Sequence, residues 1–192
     1  MAEFTPKTIT LDDGAAVELR SPREDDAEAL LAYIDAVRHE TDGICLSVGD
    51  DLMDLDGERQ WVRKVRDDPR GMQVMALVDG EPIALSGLHG NKMVKLRHRT
   101  GLGISIRAVW CDRGLGSRLM AELIGWAEAQ PELTVVQLSV HSNNPRAIRV
   151  YEKLGFAEEG RRRRSICIRG TYVDEVMMSR WVGGSPDGAG LR

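Results

Sequence analysis

The sequence has no long apolar run and few cysteines. No stretch reaches the length of about 18 apolar residues that spans a membrane, and the start, MAEFTPKTIT, has no signal-peptide core. The three cysteines, Cys45, Cys111 and Cys167, are odd in number and lack the close spacing of a zinc or redox motif. These absences argue against export, membrane insertion, a disulfide framework and a metal site. We therefore expect a cytoplasmic protein with reduced thiols.

An excess of positive charge is also lacking. The formal net charge of −4 gives the chain no general attraction to nucleic acid or to an anionic membrane, so neither is an expected partner. With 192 residues, 42% hydrophobic and 29% charged, the chain can bury a core without a metal or disulfide. The last segment, GGSPDGAGLR, predicts a flexible tail at 183–192 after a single domain at 1–182.

Turn residues and helical periodicity predict the elements. Asp13–Gly14 and Asp79–Gly80 each separate two strand-like runs and predict two hairpins. Ser21 is the predicted cap of a first helix. The predicted helices are 23–40, 54–65, a run of about four turns from Gly114, and NPRAIRVYEKLGF closed by Gly155. Further strands are predicted in TGLGISIRAV, in LTVVQLSV, and as a pair in RRSICIRGTYVDEVMMSRWV. Strands and helices alternate between flanking hairpins, which predicts an α/β fold with a mixed sheet and helices on both faces.

Two glycines mark the junction of a strand and a helix in VWCDRGLGSRLM, residues 109–120. The segment lacks the third glycine of a dinucleotide fingerprint and the lysine of a Walker loop. One explanation is that Gly114 and Gly116 only form a turn. The other is that they open a helix N-terminus on which amides, with Arg113 and Arg118, hold a pyrophosphate. These residues alone leave the two explanations equally weighted.

The same segment, together with NNPRAIRVYEKLGF, resembles the GNAT superfamily of acyl-CoA-dependent N-acetyltransferases. The phosphate signature of that family falls on Cys111, Gly114 and Gly116, and its later signature falls on Asn144, Ala147 and Tyr151. Cys111 replaces the polar or basic residue that is usual there. The resemblance covers 16–182 and implies a mixed, mostly antiparallel central sheet. It further implies transfer of an acetyl group from acetyl-CoA to a primary amine of a small molecule or peptide.

The resemblance also implies a binding site for the cofactor. Asn144 would hydrogen-bond the pantetheine, although an Asn before Pro145 is also an ordinary helix cap. Gly101, Gly103 and Ser105 would lie along the cofactor or, equally, pack closely against a helix. The backbone pairing with pantetheine would come from Ile104, Ser105 and Ile106, and the pyrophosphate loop from Cys111, Asp112, Arg113, Gly114, Leu115, Gly116 and Ser117.

Acyl transfer further requires proton transfers. Tyr151 matches the family tyrosine that protonates the departing thiolate, and the alternative is a tyrosine that only packs. Glu40 and His141 are the candidates for the base or for contacts with the acceptor, and a chain of waters is the alternative base.

Other functions stay open from the sequence. The run Arg161–Arg164 suggests nucleic acid, but it lacks interleaved aromatics, so a solvated or acid-paired strand edge is favoured. A non-catalytic acyl-CoA sensor and a protein-binding domain in which GLG is only a turn are the alternatives to an enzyme. A homodimer is expected.

Overall fold

The computed structural model describes residues 3–183. It contains eight strands and four α-helices. Their bounds are β1 Lys7–Thr10, β2 Ala16–Arg20, α1 Ala27–Glu40, α2 Leu55–Arg66, β3 Met72–Val78, β4 Glu81–Gly90, β5 Arg99–Ile106, α3 Leu115–Glu128, β6 Val135–His141, α4 Pro145–Lys153, β7 Ala157–Ile168 and β8 Thr171–Trp181. Of the predicted tail, residues 184–192 lie outside the described part.

The strands follow one another in the order β1-β2-β3-β4-β5-β6-β8-β7. Strands β5 and β6 run parallel, whereas β1 with β2, β2 with β3, β3 with β4, β6 with β8 and β7 with β8 are antiparallel. The two predicted hairpins are present, with Gly14 and Gly80 in the left-handed region at φ 88° and 82°. The predicted mixed, mostly antiparallel α/β class is confirmed.

Contacts divide the described chain into two compact units. Unit 1 comprises the residues up to His89 together with Gly103–Met120, and unit 2 comprises Gly90–Leu102 together with the residues from Ala121 on. In unit 1, α1, α2 and β3 share a core of Leu30, Val62, Met75 and Leu77, with Trp61 and Leu85 packed against it. Each of the four buried side chains contributes about 1.5–3 kcal/mol by leaving water.

The first helix begins later than the sequence predicts, and Ser21 does not cap it. The Ser21 hydroxyl is buried, where it donates to the Gln73 carbonyl at 3.0 Å and accepts from the Phe4 amide at 2.9 Å. A short 3₁₀ turn, Glu24–Asp26, precedes α1, and Asp26 accepts from the Arg23 amide at 2.7 Å. Arg20 forms a two-pronged ion pair with Asp26 at 2.6 and 2.7 Å. The predicted helix cap at Ser21 is therefore wrong, because the Ser21 hydroxyl forms a tertiary hydrogen bond with Gln73 instead.

Helices α1 and α3 lie on opposite faces of β5. Tyr33 of α1 contacts Ser105, whereas a Cβ built on Gly116 of α3 would stand 3.1 Å from Ile106 and 3.9 Å from Ile104. Neighbouring residues of a strand point to opposite faces. The prediction of helices on both faces is therefore confirmed at this strand.

The arginine run lies inside β7, which begins at Ala157, earlier than the predicted strand. Arg161 pairs with Glu158 at 2.7 Å and Arg162 with Glu175 at 2.8 Å. Arg164, at φ 53°, stacks on Tyr172 at 4.7 Å within an irregular stretch of the β7–β8 ladder. Charged side chains of this kind discourage a further strand from pairing with an edge.

Within residues 3–183, no helix is both long enough and apolar enough to cross a membrane.

Candidate active site

The main chain of β5 presents alternate polar groups to its two sides. Ser86 Oγ of β4 donates to the Gly103 carbonyl at 2.9 Å, and Tyr33 donates to the Ser105 carbonyl at 2.8 Å. Because strand residues alternate, the N–H and C=O groups of Ile104 and Ile106 point away from β4. The ladder with β6 comprises only the pairs from Arg99 to Gly101 with Val135 to Gln137. Of the three residues predicted to pair with pantetheine, Ile104 and Ile106 therefore present their backbone to the side away from β4, and the Ser105 carbonyl is already bonded.

Tyr33 holds β4 and β5 in this arrangement. Its hydroxyl accepts from the Leu85 amide of β4 at 3.2 Å while it donates to the Ser105 carbonyl, and Ser105 Oγ lies 2.9 Å away. Burial raises the pKa of the Tyr33 phenol, so it stays a neutral hydroxyl. One oxygen therefore bridges the two strands.

The face of β5 that α1 covers at Ser105 is open at Gly101 and Gly103. A Cβ built on either glycine would meet no atom within 4 Å, and both residues are exposed. The alternative that these glycines allow a helix to pack closely is therefore wrong. Ser105, the third small residue of this face, contacts Tyr33 instead of a helix backbone.

The loop before α3 has a backbone suited to an anion. Asp112 and Gly114 have positive φ values of 60° and 80°, and Arg113 between them does not. Where left- and right-handed residues alternate in a turn, successive N–H groups can converge on one point and make a concave anion-binding nest. Gly114 is the position where the absence of a side chain is needed for this conformation.

The helix that follows adds further donors. Arg118 is the residue whose amide closes the first turn of α3, on the Gly114 carbonyl at 3.2 Å. The amides of Leu115, Gly116 and Ser117 therefore precede any intrahelical acceptor and lie at the positive end of the helix dipole. The Leu115 side chain is buried, so this residue offers only its backbone.

Gly116 has a different role from Gly114. Its φ is not in the left-handed region, and the position of its missing Cβ faces Ile106 and Ile104. Gly116 therefore lets the first turn of α3 approach β5 closely, which places the amides of the helix near the edge of that strand.

Other groups of the loop are already engaged. The Cys111 amide donates to the Ala108 carbonyl at 3.1 Å, so this residue has only its carbonyl left to offer from the backbone. The Arg113 guanidinium lies over the Trp110 ring at 4.1 Å and is paired with Asp13. Arg118 is paired with Asp12 at 2.9 Å. Both arginines predicted to flank a pyrophosphate thus contact the β1–β2 turn.

Glu40 ends α1 beside the end of β5. One carboxylate oxygen accepts from Arg107 Nε at 2.8 Å, and the other accepts from the Ala108 amide at 2.7 Å. The hydrogen bond from Arg107, with help from the Ala108 amide, lowers the pKa of Glu40. This carboxylate ties α1 to the segment that leads from β5 to the loop.

Unit 2 carries the other predicted residues. Asn144 caps α4, because its side-chain oxygen accepts from the Ala147 amide at 3.1 Å and Pro145 follows it. Tyr151 is half-buried in the same helix, 6.2 Å from the Phe156 ring, and burial raises the pKa of its phenol. His141 is buried at the end of β6, where it is paired in register with Glu175.

Sequence reasoning missed Tyr33 and the aspartates of the β1–β2 turn. Tyr33 stands in the apolar stripe of α1, and Asp13 looks like an ordinary turn residue. Neither position carries a local signal of its contact, because the partners Ser105 and Arg113 lie 72 and 100 positions further along the chain.

Comparisons with known proteins agree on one family. The model of the acetyltransferase (GNAT) family matches residues 34–156. The L-amino acid N-acetyltransferase AaaT of Escherichia coli K12 is 29% identical over 123 residues, which cover 64% of this chain and 76% of that protein. A GNAT-family acetyltransferase from Streptococcus pneumoniae superposes with a TM-score of 0.82 at 27% identity, over 87% of this chain and 99% of that one. The protein yncA of Salmonella typhimurium, solved with its cofactor acetyl-CoA, has the same fold, with a TM-score of 0.76 at 18% identity over 90% and 98% of the two chains.

Proposed function

Since the chain belongs to the acetyltransferase (GNAT) family, we propose that it is an acetyl-CoA-dependent N-acetyltransferase. It transfers the acetyl group directly to a primary amine of a small molecule or peptide while both substrates are bound. The amino acid N-acetyltransferase among its relatives makes the α-amino group of an L-amino acid the first acceptor to test.

The observation that supports this proposal is that three features of unit 1 suited to acetyl-CoA are neighbours. The free side of Ile104 and Ile106, the left-handed loop at Asp112 and Gly114, and the first amides of α3 follow one another along the chain. The close approach of α3 to β5 at Gly116 keeps them together. An amide-containing pantetheine arm pairs with a strand edge, and a pyrophosphate suits a nest at a helix N-terminus. The residues present therefore fit acetyl-CoA.

The reaction requires one carbon–nitrogen bond to form and one carbon–sulfur bond to break. Acetyl-CoA supplies a thioester whose carbonyl carbon is attacked by the neutral amine. In the proposal, Tyr151 gives its phenolic proton to the departing sulfur, so that the thiol leaves uncharged. Burial raises the pKa of Tyr151, so the phenol carries its proton at neutral pH and is available as a donor.

The proton that the acceptor loses goes to a separate group, and solvent returns a proton to the Tyr151 phenolate after the thiol leaves. Glu40 has both oxygens bonded and a lowered pKa, which makes it a weak base, and we assign it the role of holding the end of β5. His141 and a chain of waters stay as the candidates for the base, and Asn144 is left with its amide nitrogen for the pantetheine. The proposal also includes a homodimer in the cytoplasm, and light scattering of the purified protein tests the dimer.

Two measurements test the proposed function. Titration calorimetry should show acetyl-CoA binding in the micromolar range that is usual for enzyme substrates. Thiol release from acetyl-CoA should then depend on one class of amine in a panel of L-amino acids, polyamines, aminoglycosides and peptides with free N-termini. Binding without thiol release for any amine would favour the acyl-CoA sensor, and absence of binding would refute the proposal.

A further inference from the structure

The turn between β1 and β2 lies against the loop that precedes α3. We call Leu11–Ala15 the acidic turn. Asp13 accepts from both Nε and Nη2 of Arg113, and Asp12 accepts from Nη2 of Arg118 at 2.9 Å. The other oxygen of Asp12 lies 3.4 Å from the point where a Cβ on Gly114 would stand. Two carboxylates of one turn therefore contact the arginines on both sides of the left-handed glycine.

The acidic turn is held in shape by its own backbone. The Leu11 amide donates to the Ala15 carbonyl and the Gly14 amide to the Leu11 carbonyl, both at 2.9 Å. The Asp13 side chain accepts from the Ala15 amide at 3.1 Å. This amide, followed by the Arg113 guanidinium, keeps the pKa of Asp13 below its ordinary value. Asp13 is therefore a charged group in a fixed position at neutral pH.

A phosphate of the cofactor that binds Arg113 would accept from the same N–H groups that Asp13 already occupies. A guanidinium binds an oxyanion best through two parallel N–H groups, and Asp13 occupies Nε and Nη2 of Arg113. A pyrophosphate that enters the nest also approaches two carboxylates of its own sign. A phosphate that binds Arg113 or Arg118 would therefore replace an ion pair that already exists.

We propose that Asp12 and Asp13 are affinity-determining residues for the acyl-CoA. They hold Arg113 and Arg118 when no cofactor is bound, and the phosphates of the cofactor take over these guanidiniums at the expense of the two ion pairs. The inference rests on the proposed function. The product CoA carries the same phosphates, so the acidic turn weakens product binding by the same factor and favours product release.

The test begins with calorimetry of acetyl-CoA on Asp12→Asn, Asp13→Asn and the double variant at fixed ionic strength. Asparagine keeps an oxygen for the Ala15 amide and loses only the charge. Exposed ion pairs are weak, so we expect the double variant to bind acetyl-CoA about three- to tenfold more tightly. The Kd for CoA should fall by the same factor. Asp56→Asn is the matched control, because Asp56 is an exposed acid paired with Arg59 on α2, and its Kd should equal that of the wild type.

A truncated substrate separates phosphate effects from general ones. S-acetylpantetheine has no phosphate, so its kcat/KM should be the same within twofold in all variants. The melting temperature of the ligand-free variants should fall slightly through loss of ion pairs, while the affinity for acetyl-CoA rises.

Three results would overturn the inference while the proposed function survives. Weaker acetyl-CoA binding by Asp13→Asn would mean that Asp13 positions Arg113 for the phosphate. An unchanged Kd would mean that the arginines do not meet the phosphates. An equal gain with S-acetylpantetheine would place the effect elsewhere. If the wild-type protein binds no acetyl-CoA, the proposed function fails first, and this inference fails with it.

Discussion

The hydroxyl of Tyr33 donates to the Ser105 carbonyl at 2.8 Å and joins helix α1 to strand β5. The same oxygen accepts from the Leu85 amide, so a side chain bridges β4 and β5. The Ser105 carbonyl is thereby directed toward β4, and the polar groups of Ile104 and Ile106 are left on the opposite side. A residue without any part in the chemistry thus sets the edge that we propose as the cofactor site.

Replacing Tyr33 by Phe should destabilise the protein and raise the KM for acetyl-CoA. The change leaves the part-buried Leu85 amide and Ser105 carbonyl without their shared partner, which costs about 1–3 kcal/mol of unfolding free energy. Urea unfolding measures the loss, and steady-state kinetics measures KM. Ser105→Ala is the control, because it removes only the hydroxyl beside Tyr33 and keeps both backbone contacts. A Phe variant as stable as the wild type would contradict the bridging role.

The two glycines of the loop should respond differently to substitution. Gly114→Ala forces a side chain into the left-handed region, which costs about 1–2 kcal/mol and should lower the affinity for acetyl-CoA about fivefold or more as the loop relaxes. Gly116→Val places its Cβ 3.1 Å from Ile106, and such overpacking costs about 1–3 kcal/mol. Calorimetry and urea unfolding of both variants measure these effects.

Gly125 supplies the matched control for these variants. It lies exposed in the interior of α3, where a Cβ would meet nothing within 4 Å. Gly125→Ala should stabilise the helix by up to about 1 kcal/mol and leave the Kd for acetyl-CoA unchanged. Equal affinity of the wild type, Gly114→Ala and Gly116→Val would refute the phosphate-loop assignment.

Replacing Tyr151 by Phe should lower kcat at least about tenfold and leave the Kd for acetyl-CoA within a few-fold. The ring still packs near Phe156, and only the proton is lost. Because burial raises the pKa of Tyr151 from its ordinary value of 10.0, the alkaline decline of kcat that its ionisation causes should lie above pH 10.0. The exposed Tyr172 provides the control Tyr172→Phe, which should keep the wild-type kcat. A folded Tyr151→Phe enzyme with full activity would leave solvent as the donor.

The pH dependence of the unfolding free energy and of kcat/KM in the variant Glu40→Gln should show whether Glu40 is a positioning residue or the catalytic base. The folded pKa of Glu40 is lowered, so its charge stabilises the fold above the unfolded pKa, and this contribution is lost as the pH falls through the folded value. The pair with Arg107 is solvent-accessible, so the variant should lose less than about 1 kcal/mol at neutral pH and nothing in strong acid. The acid limb of kcat/KM near neutrality should be unchanged. Disappearance of that limb would instead make Glu40 the base.

The order of elements could be predicted because each signal is local. Asp-Gly turns and apolar stripes specify hairpins and helices within a few residues, and α2 and α3 begin within one residue of the positions that the pattern indicates. Ser21 was assigned wrongly because its hydroxyl bonds the Gln73 carbonyl, 52 positions away. A tertiary hydrogen bond of this kind leaves no trace in the local sequence.

The roles within the site were less accessible from the sequence. The sequence alone does not distinguish the two glycines of the loop. Gly114 is needed for its positive φ, whereas Gly116 is needed because a side chain there would crowd Ile106. Arg113 and Arg118 were predicted to flank a phosphate, but their carboxylate partners come from a turn 100 and 106 positions earlier. Side-chain pairing across such distances depends on the assembled strands and not on neighbouring residues.

The division of β5 between the two units has a consequence for biosynthesis. Along the chain, the segment Gly90–Leu102 belongs to unit 2, and the next segment, Gly103–Met120, belongs to unit 1. During synthesis on the ribosome, the first half of β5 is therefore made before its parallel partner, Val135–Gln137. The second half of β5 can already pack in unit 1 at that stage. Neither unit can be excised as one continuous fragment, and contacts distant in sequence slow folding. A nascent chain arrested when Met120 has just left the ribosomal exit tunnel should therefore resist proteolysis in the hairpins of unit 1 and stay cleavable at Lys92, Lys95 and Arg97.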